Sequence, residues 1–368
     1  MPVRSPLTPA VLGERLRAIP RASLAHLPTP LEHLPRLSAA AGDPPIYVKR
    51  DDCTGLALGG NKARHNEFLF GDALAKSADL FVWGAGVQSN NCRQTAAACA
   101  KLGLDCHLIL GRNRPYADGP DPVQGNLLLD HLVGAFVEIV EEGLGAELEA
   151  RIARTAAAYR AAGRRPYYWE SSVVKPLAAL SYVDAIRELV EQWPADLAAP
   201  SAVYLSSAGS TGAGAALGAA LLDWRHDEGP VAIRSIAPLE WPWDTHAEMA
   251  ETATAAARRL LGDAAPTFTR DEIDVTFEHI APGYGKPSPA GLEAQALAAR
   301  TEGLLVDPVY TGKALGALLA DIRSGRLPAD RPVVFLHTGG APALFAYSEQ
   351  LARGITPRGP IVAGISAL

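Results

Sequence analysis

Four short stretches of this chain hold residues able to do chemistry on a bound small molecule. Lys62 directly follows Gly59-Gly60-Asn61, at what reads as a helix start. Most lysines are solvated surface charges. One held in a closed, partly apolar site loses its proton readily and becomes an amine nucleophile toward a carbonyl. The second stretch, Ser207-Ala-Gly-Ser-Thr-Gly-Ala-Gly214, lies between a short apolar run and an alanine-rich one. Small residues let a backbone approach an anion. Gly209, Ser210, Thr211, Gly212, Ala213 and Gly214 are therefore a candidate phosphate cradle, built from hydroxyls and helix-start N–H groups. A plain strand-to-helix turn would use the same glycines. The spacing is GxxGxG rather than the dinucleotide GxGxxG, and no Gly-Lys-Ser/Thr follows as in a nucleotide P-loop.

The third stretch is Gln88-Ser-Asn-Asn-Cys-Arg-Gln94, after Gly84-Ala-Gly86. Asn91 with Gln94 three residues on reads as a capping box. The polar side chains of Ser89, Asn90 and Asn91 beside exposed N–H groups would suit a substrate carboxylate. Fourth are Pro282-Gly-Tyr-Gly285 and Asp307-Pro-Val-Tyr-Thr-Gly-Lys313, each setting a tyrosine, Tyr284 or Tyr310, next to a glycine turn. The run Phe335-Leu-His-Thr-Gly-Gly340 reads as a buried strand entering a glycine turn, with His337 a satisfied core histidine.

Alternating strands and helices must position these residues. Apolar runs at Pro45–Lys49, Leu80–Trp83, Leu104–Leu110, Val137–Val140, Ala202–Leu205 and Val333–Leu336 read as strands. Helical spacing covers Lys62–Leu74, Asn91–Leu102, Ala146–Ala162 and Pro289–Thr301. Such alternation predicts an α/β fold with mostly parallel sheets flanked by helices. The stretches Arg112–Asp121 and Leu239–Thr245 read as irregular loops. A length of 368 residues suits two domains: a large one from 1–63 and 175–368, and a smaller one, 64–174, supplying the substrate-carboxylate helix start.

A net charge of −6 speaks against nucleic-acid or anionic-membrane partners. The proline-broken N-terminal stretch lacks the apolar segment of a signal peptide. Val203–Leu222 is uncharged but carries four glycines and several hydroxyls, so a strand, a turn and a buried helix explain it better than a membrane span. Cys53, Cys92, Cys99 and Cys106 have no CxxC spacing and read as reduced thiols of a cytoplasmic protein. None of the nine histidines makes an HxxxH pair, so no metal is expected.

Taken in order, these segments resemble the pyridoxal-phosphate (PLP) family of D-cysteine desulfhydrase and 1-aminocyclopropane-1-carboxylate (ACC) deaminase. The resemblance runs from Leu27-Pro-Thr-Pro-Leu31 to His337-Thr-Gly-Gly340. It is strongest in Tyr47-Val-Lys-Arg-Asp-Asp52 before Gly59-Gly-Asn-Lys62, and in Gln88-Ser-Asn90 before Arg93-Gln-Thr-Ala96. It implies the two-domain fold type II, similar to tryptophan synthase β, a PLP cofactor and a homodimer. Lys62 would be the Schiff-base lysine, 209–214 the phosphate loop, and Asn90 the neighbour of the ring hydroxyl. Ser89 would help move protons, Tyr284 and Tyr310 would be the active-site tyrosines, and Thr311 would partner the pyridine nitrogen.

Two departures bear on the substrate. Asn91 stands where relatives carry His or Gln, and Glu170–Tyr182 is bulkier than the family's glycine-rich stretch. The expected activity is α,β-elimination and deamination of a small amino acid to a keto acid and ammonia. A neutral Thr311, where ACC deaminases carry an acid, favours elimination over ring opening. ACC deamination, β-replacement and a non-catalytic metabolite-binding protein are the alternatives.

Overall fold

The computed structural model describes residues 6–42, 44–112 and 122–353. Its ten principal strands are β1 (Leu31–His33), β2 (Ile46–Lys49), β3 (Leu80–Gly86), β4 (Asp105–Gly111), β5 (Phe136–Val140), β6 (Pro166–Tyr168), β7 (Ala202–Ser206), β8 (Ala232–Ile236), β9 (Val275–Thr276) and β10 (Val333–Leu336). A six-stranded sheet runs β1-β2-β10-β7-β8-β9, and a four-stranded sheet runs β5-β4-β3-β6. Only β1 is antiparallel to its neighbour in these two sheets. The mostly parallel α/β architecture read from the sequence is the one present. β10 occupies the expected Val333–Leu336, while β3 runs through the glycines to Gly86, beyond the expected end at Trp83.

The helices that carry the site are α1 (Asn61–Ala75), α2 (Asn90–Leu102), α3 (Gly125–Leu132), α4 (Ala146–Ala161), α5 (Ser171–Gln192), α6 (Ser210–Leu222), α7 (Thr245–Leu261), α8 (Pro289–Glu302) and α9 (Thr311–Arg323). Helices cover both faces of central strands such as β7, every residue of which is buried. Such strands are apolar throughout rather than alternating. The four-stranded sheet uses only residues between Leu80 and Tyr168, yet one apolar cluster joins Phe81 and Trp83 beneath it to Leu217 and Met249 of the larger part. No helix of the described residues is long and apolar enough to cross a membrane. Cys92, Cys99 and Cys106 are buried free thiols on α2 and β4, as expected, and Cys53 is exposed. Most of the stretch 112–121 lies outside the described residues.

A buried charge network sets the first turn of α1. The Arg64 guanidinium donates to both oxygens of Asp51 and both of Glu188, at 2.7–2.9 Å. Lys49 Nζ reaches Glu188 at 3.1 Å and the Tyr182 hydroxyl reaches Asp51 at 2.6 Å. Arg64 and Asp51 are fully buried, and removing either partner would leave an uncompensated charge, a loss on the order of 3–5 kcal/mol. This ties β2, α1 and α5 together two residues from Lys62.

Candidate active site

The turn before Lys62 can be made only by glycine. Gly59 and Gly60 have φ of +68° and +121°. A Cβ on Gly59 would lie 1.9 Å from the Asp52 carbonyl oxygen, and one on Gly60 2.7 Å from Gln94 Nε2. The turn is also tied to α2: the Gly59 carbonyl accepts from Arg93 Nη2 at 2.7 Å and Gln94 Nε2 at 2.9 Å. On the other side Asn61 N donates to Thr338 O at 3.0 Å. Lys62 is thereby directed into a cavity of about 290 Å³ between the two sheets. Its ammonium has no hydrogen bond or ion pair among the described residues, and burial alone brings its pKa down to about 8. The Lys175 and Lys313 ammonium groups, by contrast, are tied to Glu248 and to the carbonyls of Ile280 and Gly283.

Ser89, Asn90, Asn91, Tyr284 and Tyr310 line the same cavity, with Gly209, Ser210 and Thr211. The remaining three residues of the expected cradle do not line it. Gly212 and Gly214 are glycines for another reason. A Cβ on Gly212 would meet Ser235 Oγ at 2.2 Å, and one on Gly214 the Ala179 carbonyl oxygen at 2.0 Å. Both serve helix packing, and Ala213 is buried with them. At Gly209 a Cβ would meet nothing within 4 Å. Ser207 Oγ accepts from Gly212 N at 2.9 Å and Gly209 N at 3.2 Å. The helical ladder leaves the N–H groups of Ser210 and Thr211 uncommitted at the dipole's positive end.

The Thr211 hydroxyl is held by Asn61 Nδ2 at 3.0 Å and His65 Nε2 at 3.1 Å. His65 lines the cavity too. Burial, reinforced by the Lys62 charge, holds its pKa well below the ordinary histidine value, so the ring is neutral. Sequence reading missed His65: a single histidine on a helix gives no signal until α6 packs beside it.

At the start of α2 the expected capping box is absent. Ser89 is the cap, its Oγ accepting from Asn91 N and Cys92 N at 3.1 Å each. Gln94 is drawn instead to Gly59, and the Asn90 amide oxygen accepts from Arg93 at 3.2 Å. The two tyrosines, 26 residues apart, come together with 2.6 Å between their hydroxyl oxygens. Burial raises both pKa values, so both phenols stay protonated.

Thr311 stands apart from the sequence expectation. It is fully buried and is not among the cavity-lining residues. Its hydroxyl donates to Asp307 Oδ1 at 2.7 Å and accepts from Asp307 N at 2.8 Å. Thr211 and Thr338 are the threonines on the cavity wall. His337 is the satisfied core histidine expected, with Nε2 2.9 Å from Leu305 O and Nδ1 accepting from Gly339 N.

An unpartnered amine of lowered pKa, a helix start with open space at Gly209 and a second polar helix start therefore share one cavity. Residues 22–339 match the family of pyridoxal-phosphate dependent enzymes. The chain belongs to that family. It is 40% identical over 333 residues to a D-cysteine desulfhydrase of Salmonella typhi, covering 90% of this chain and 97% of the relative. A solved ACC deaminase homologue superimposes with a TM-score of 0.81 at 30% identity, over 94% of this chain and 99% of its own. An L-serine ammonia-lyase of Rhizomucor miehei, 18% identical with a TM-score of 0.57 over 90% of this chain and 99% of its own, shares the fold. The chain is thus a PLP-dependent lyase of fold type II, as its sequence implies.

Proposed function

We propose that this PLP-dependent lyase removes the β-substituent of a small amino acid, D-cysteine foremost, giving pyruvate, ammonia and sulfide. The carrying observation is the single cavity that gathers an unpartnered Lys62 between two helix starts and a tyrosine pair. The relative named D-cysteine desulfhydrase supports the choice of substrate. Gly209, Ser210 and Thr211 would hold the cofactor phosphate, and Asn90 its ring hydroxyl. When bound, PLP supplies the electron sink that makes the Cα–H bond acidic. Lys62, with a pKa near 8, takes the proton from Cα. Ser89 and Asn91 hold the substrate carboxylate at the start of α2, and the Ser89 hydroxyl also helps move the Cα proton. The hydrogen-bonded Tyr284 and Tyr310 offer a proton to the departing sulfur.

The pyridine nitrogen would face neutral hydroxyls. Thr311 is the proposed partner of that nitrogen, a role in which its hydroxyl would turn to the ring from Asp307 Oδ1, to which it donates. ACC deamination is the second reading, favoured by the likeness to the ACC deaminase homologue.

We further propose two working units, 1–63 with 175–368 and 64–174, in a cytoplasmic homodimer. Buried free thiols suit a reducing compartment. Exposed Leu128, Leu132 and Phe136, on α3 and the edge strand β5, are an apolar surface a second copy could cover. The test of the activity is keto acid and ammonia release from D- and L-cysteine, β-chloroalanine, serine and ACC. The expected result is turnover of D-cysteine and β-chloroalanine well above ACC, and ACC as the preferred substrate would overturn the reading.

A further inference from the structure

Two segments that departed from the family pattern or read as plain loop meet at the mouth of this cavity. The bulky replacement of the glycine-rich stretch brings Val174, Lys175 and Ala178 of α5 to its wall, and the loop before α7 brings Trp241 and Trp243. The two indoles stack with centroids 4.8 Å apart and planes within 7° of parallel. From the opposite side α4 contributes Leu148 and Ile152. Ile152 packs against Gly84 at the end of β3, where a Cβ would lie 2.8 Å from its Cδ1. The Trp243 ring edge reaches across to Gly145, 3.9 Å from where a Cβ would stand. The polar groups here are already paired: Lys175 with Glu248, and Glu149 with the Trp169 indole N–H at 2.8 Å. An apolar, partly aromatic vestibule therefore continues the polar chamber, and the side chain of cysteine would leave it unfilled.

The geometry points to a cysteine bearing an apolar, arylmethyl-sized group on sulfur as a substrate class of this site. This rests on the elimination reading above and deepens it. S-benzylcysteine and water would give phenylmethanethiol, pyruvate and ammonia. The Cα–H and Cβ–S bonds break, sulfur leaves with the bonding pair and takes up a proton, and water replaces nitrogen at Cα. The vestibule holds the departing aryl group by dispersion and ring stacking.

The test compares kcat/KM for cysteine and S-benzylcysteine, both enantiomers, in wild type, Trp243→Ala and Trp243→Phe. Trp243 is exposed, so neither change threatens the fold. The expected result is turnover of S-benzylcysteine by wild type. Its kcat/KM relative to cysteine should fall about tenfold or more in Trp243→Ala and recover in Trp243→Phe, the size expected for losing one apolar wall of a pocket. A second readout needs no turnover: fluorine NMR of 4-fluorobenzyl methyl sulfide added to the holoenzyme should broaden in wild type and sharpen in Trp243→Ala. Turnover of cysteine without S-benzylcysteine, or a proportional loss of both in Trp243→Ala, overturns the vestibule while the elimination reading stands. Release of keto acid from neither overturns both.

Discussion

At the start of α6 the backbone and the Thr211 hydroxyl are pinned by neighbours, whereas at the start of α2 Asn90 is held only by Arg93 and the Asn91 side chain has no hydrogen bond among the described residues. Around α6, Ser207 Oγ takes two N–H groups, Asn61 and His65 hold Thr211, and Gly212 and Gly214 leave no room for a methyl. Around α2, Ser89 alone caps the helix, while Asn90 and Asn91 remain half-buried at the cavity wall. The first is a rigid cradle suited to a cofactor that never changes. The second is adjustable, suited to a substrate that differs among relatives. Position 91, where this chain departs from the family, falls in the adjustable part.

The largest effect should come from breaking the rigid part. Gly214→Ala drives a methyl into the Ala179 carbonyl, so the protein should lose roughly 1–3 kcal/mol or more. A drop of several degrees in the thermal unfolding midpoint checks this. Gly209→Leu should leave the midpoint of the cofactor-free protein unchanged, because nothing lies within 4 Å of its Cβ, and should instead reduce the bound cofactor seen by visible absorbance. If both variants lose stability alike, the distinction between packing glycines and the cradle glycine is wrong.

A smaller structural effect with a clear functional one is expected at α2. Glycine caps helices nearly as well as serine, so Ser89→Gly should cost only a few tenths of a kcal/mol. Loss of a proton-moving hydroxyl should lower turnover by roughly 10²–10⁴-fold. Parallel unfolding and steady-state measurements decide it, and normal turnover would make Ser89 a cap and nothing more.

The six strands and four helices read from the sequence were legible as apolar runs or alanine-rich periodic stretches, and β10 and α2 lie within one residue of expectation, whereas short strands such as β1, β6 and β9 left no such signal. The Gly59-Gly60-Asn61-Lys62 turn was legible for a local reason, since no other residue type adopts its backbone. What stayed hidden was decided by distant partners. Gln94 could cap its own helix by sequence, but the Gly59 carbonyl, 35 residues earlier, takes its amide. Gly212 and Gly214 read as ligand-facing because a phosphate loop and a helix contact demand the same residue. His65 and the Trp241–Trp243 pair became site residues only through tertiary packing.

The central claim is that Lys62 is the amine that carries the cofactor, and it has one real competitor. Lys175 lines the same cavity, but its ammonium is bound by Glu248, whereas Lys62 is unpartnered with a pKa near 8. Borohydride reduction of the holoenzyme followed by peptide mass mapping tests this directly. The account predicts a single pyridoxyl group on the peptide containing Lys62; the label on Lys175, or on the buried Lys49 or Lys313, would contradict it.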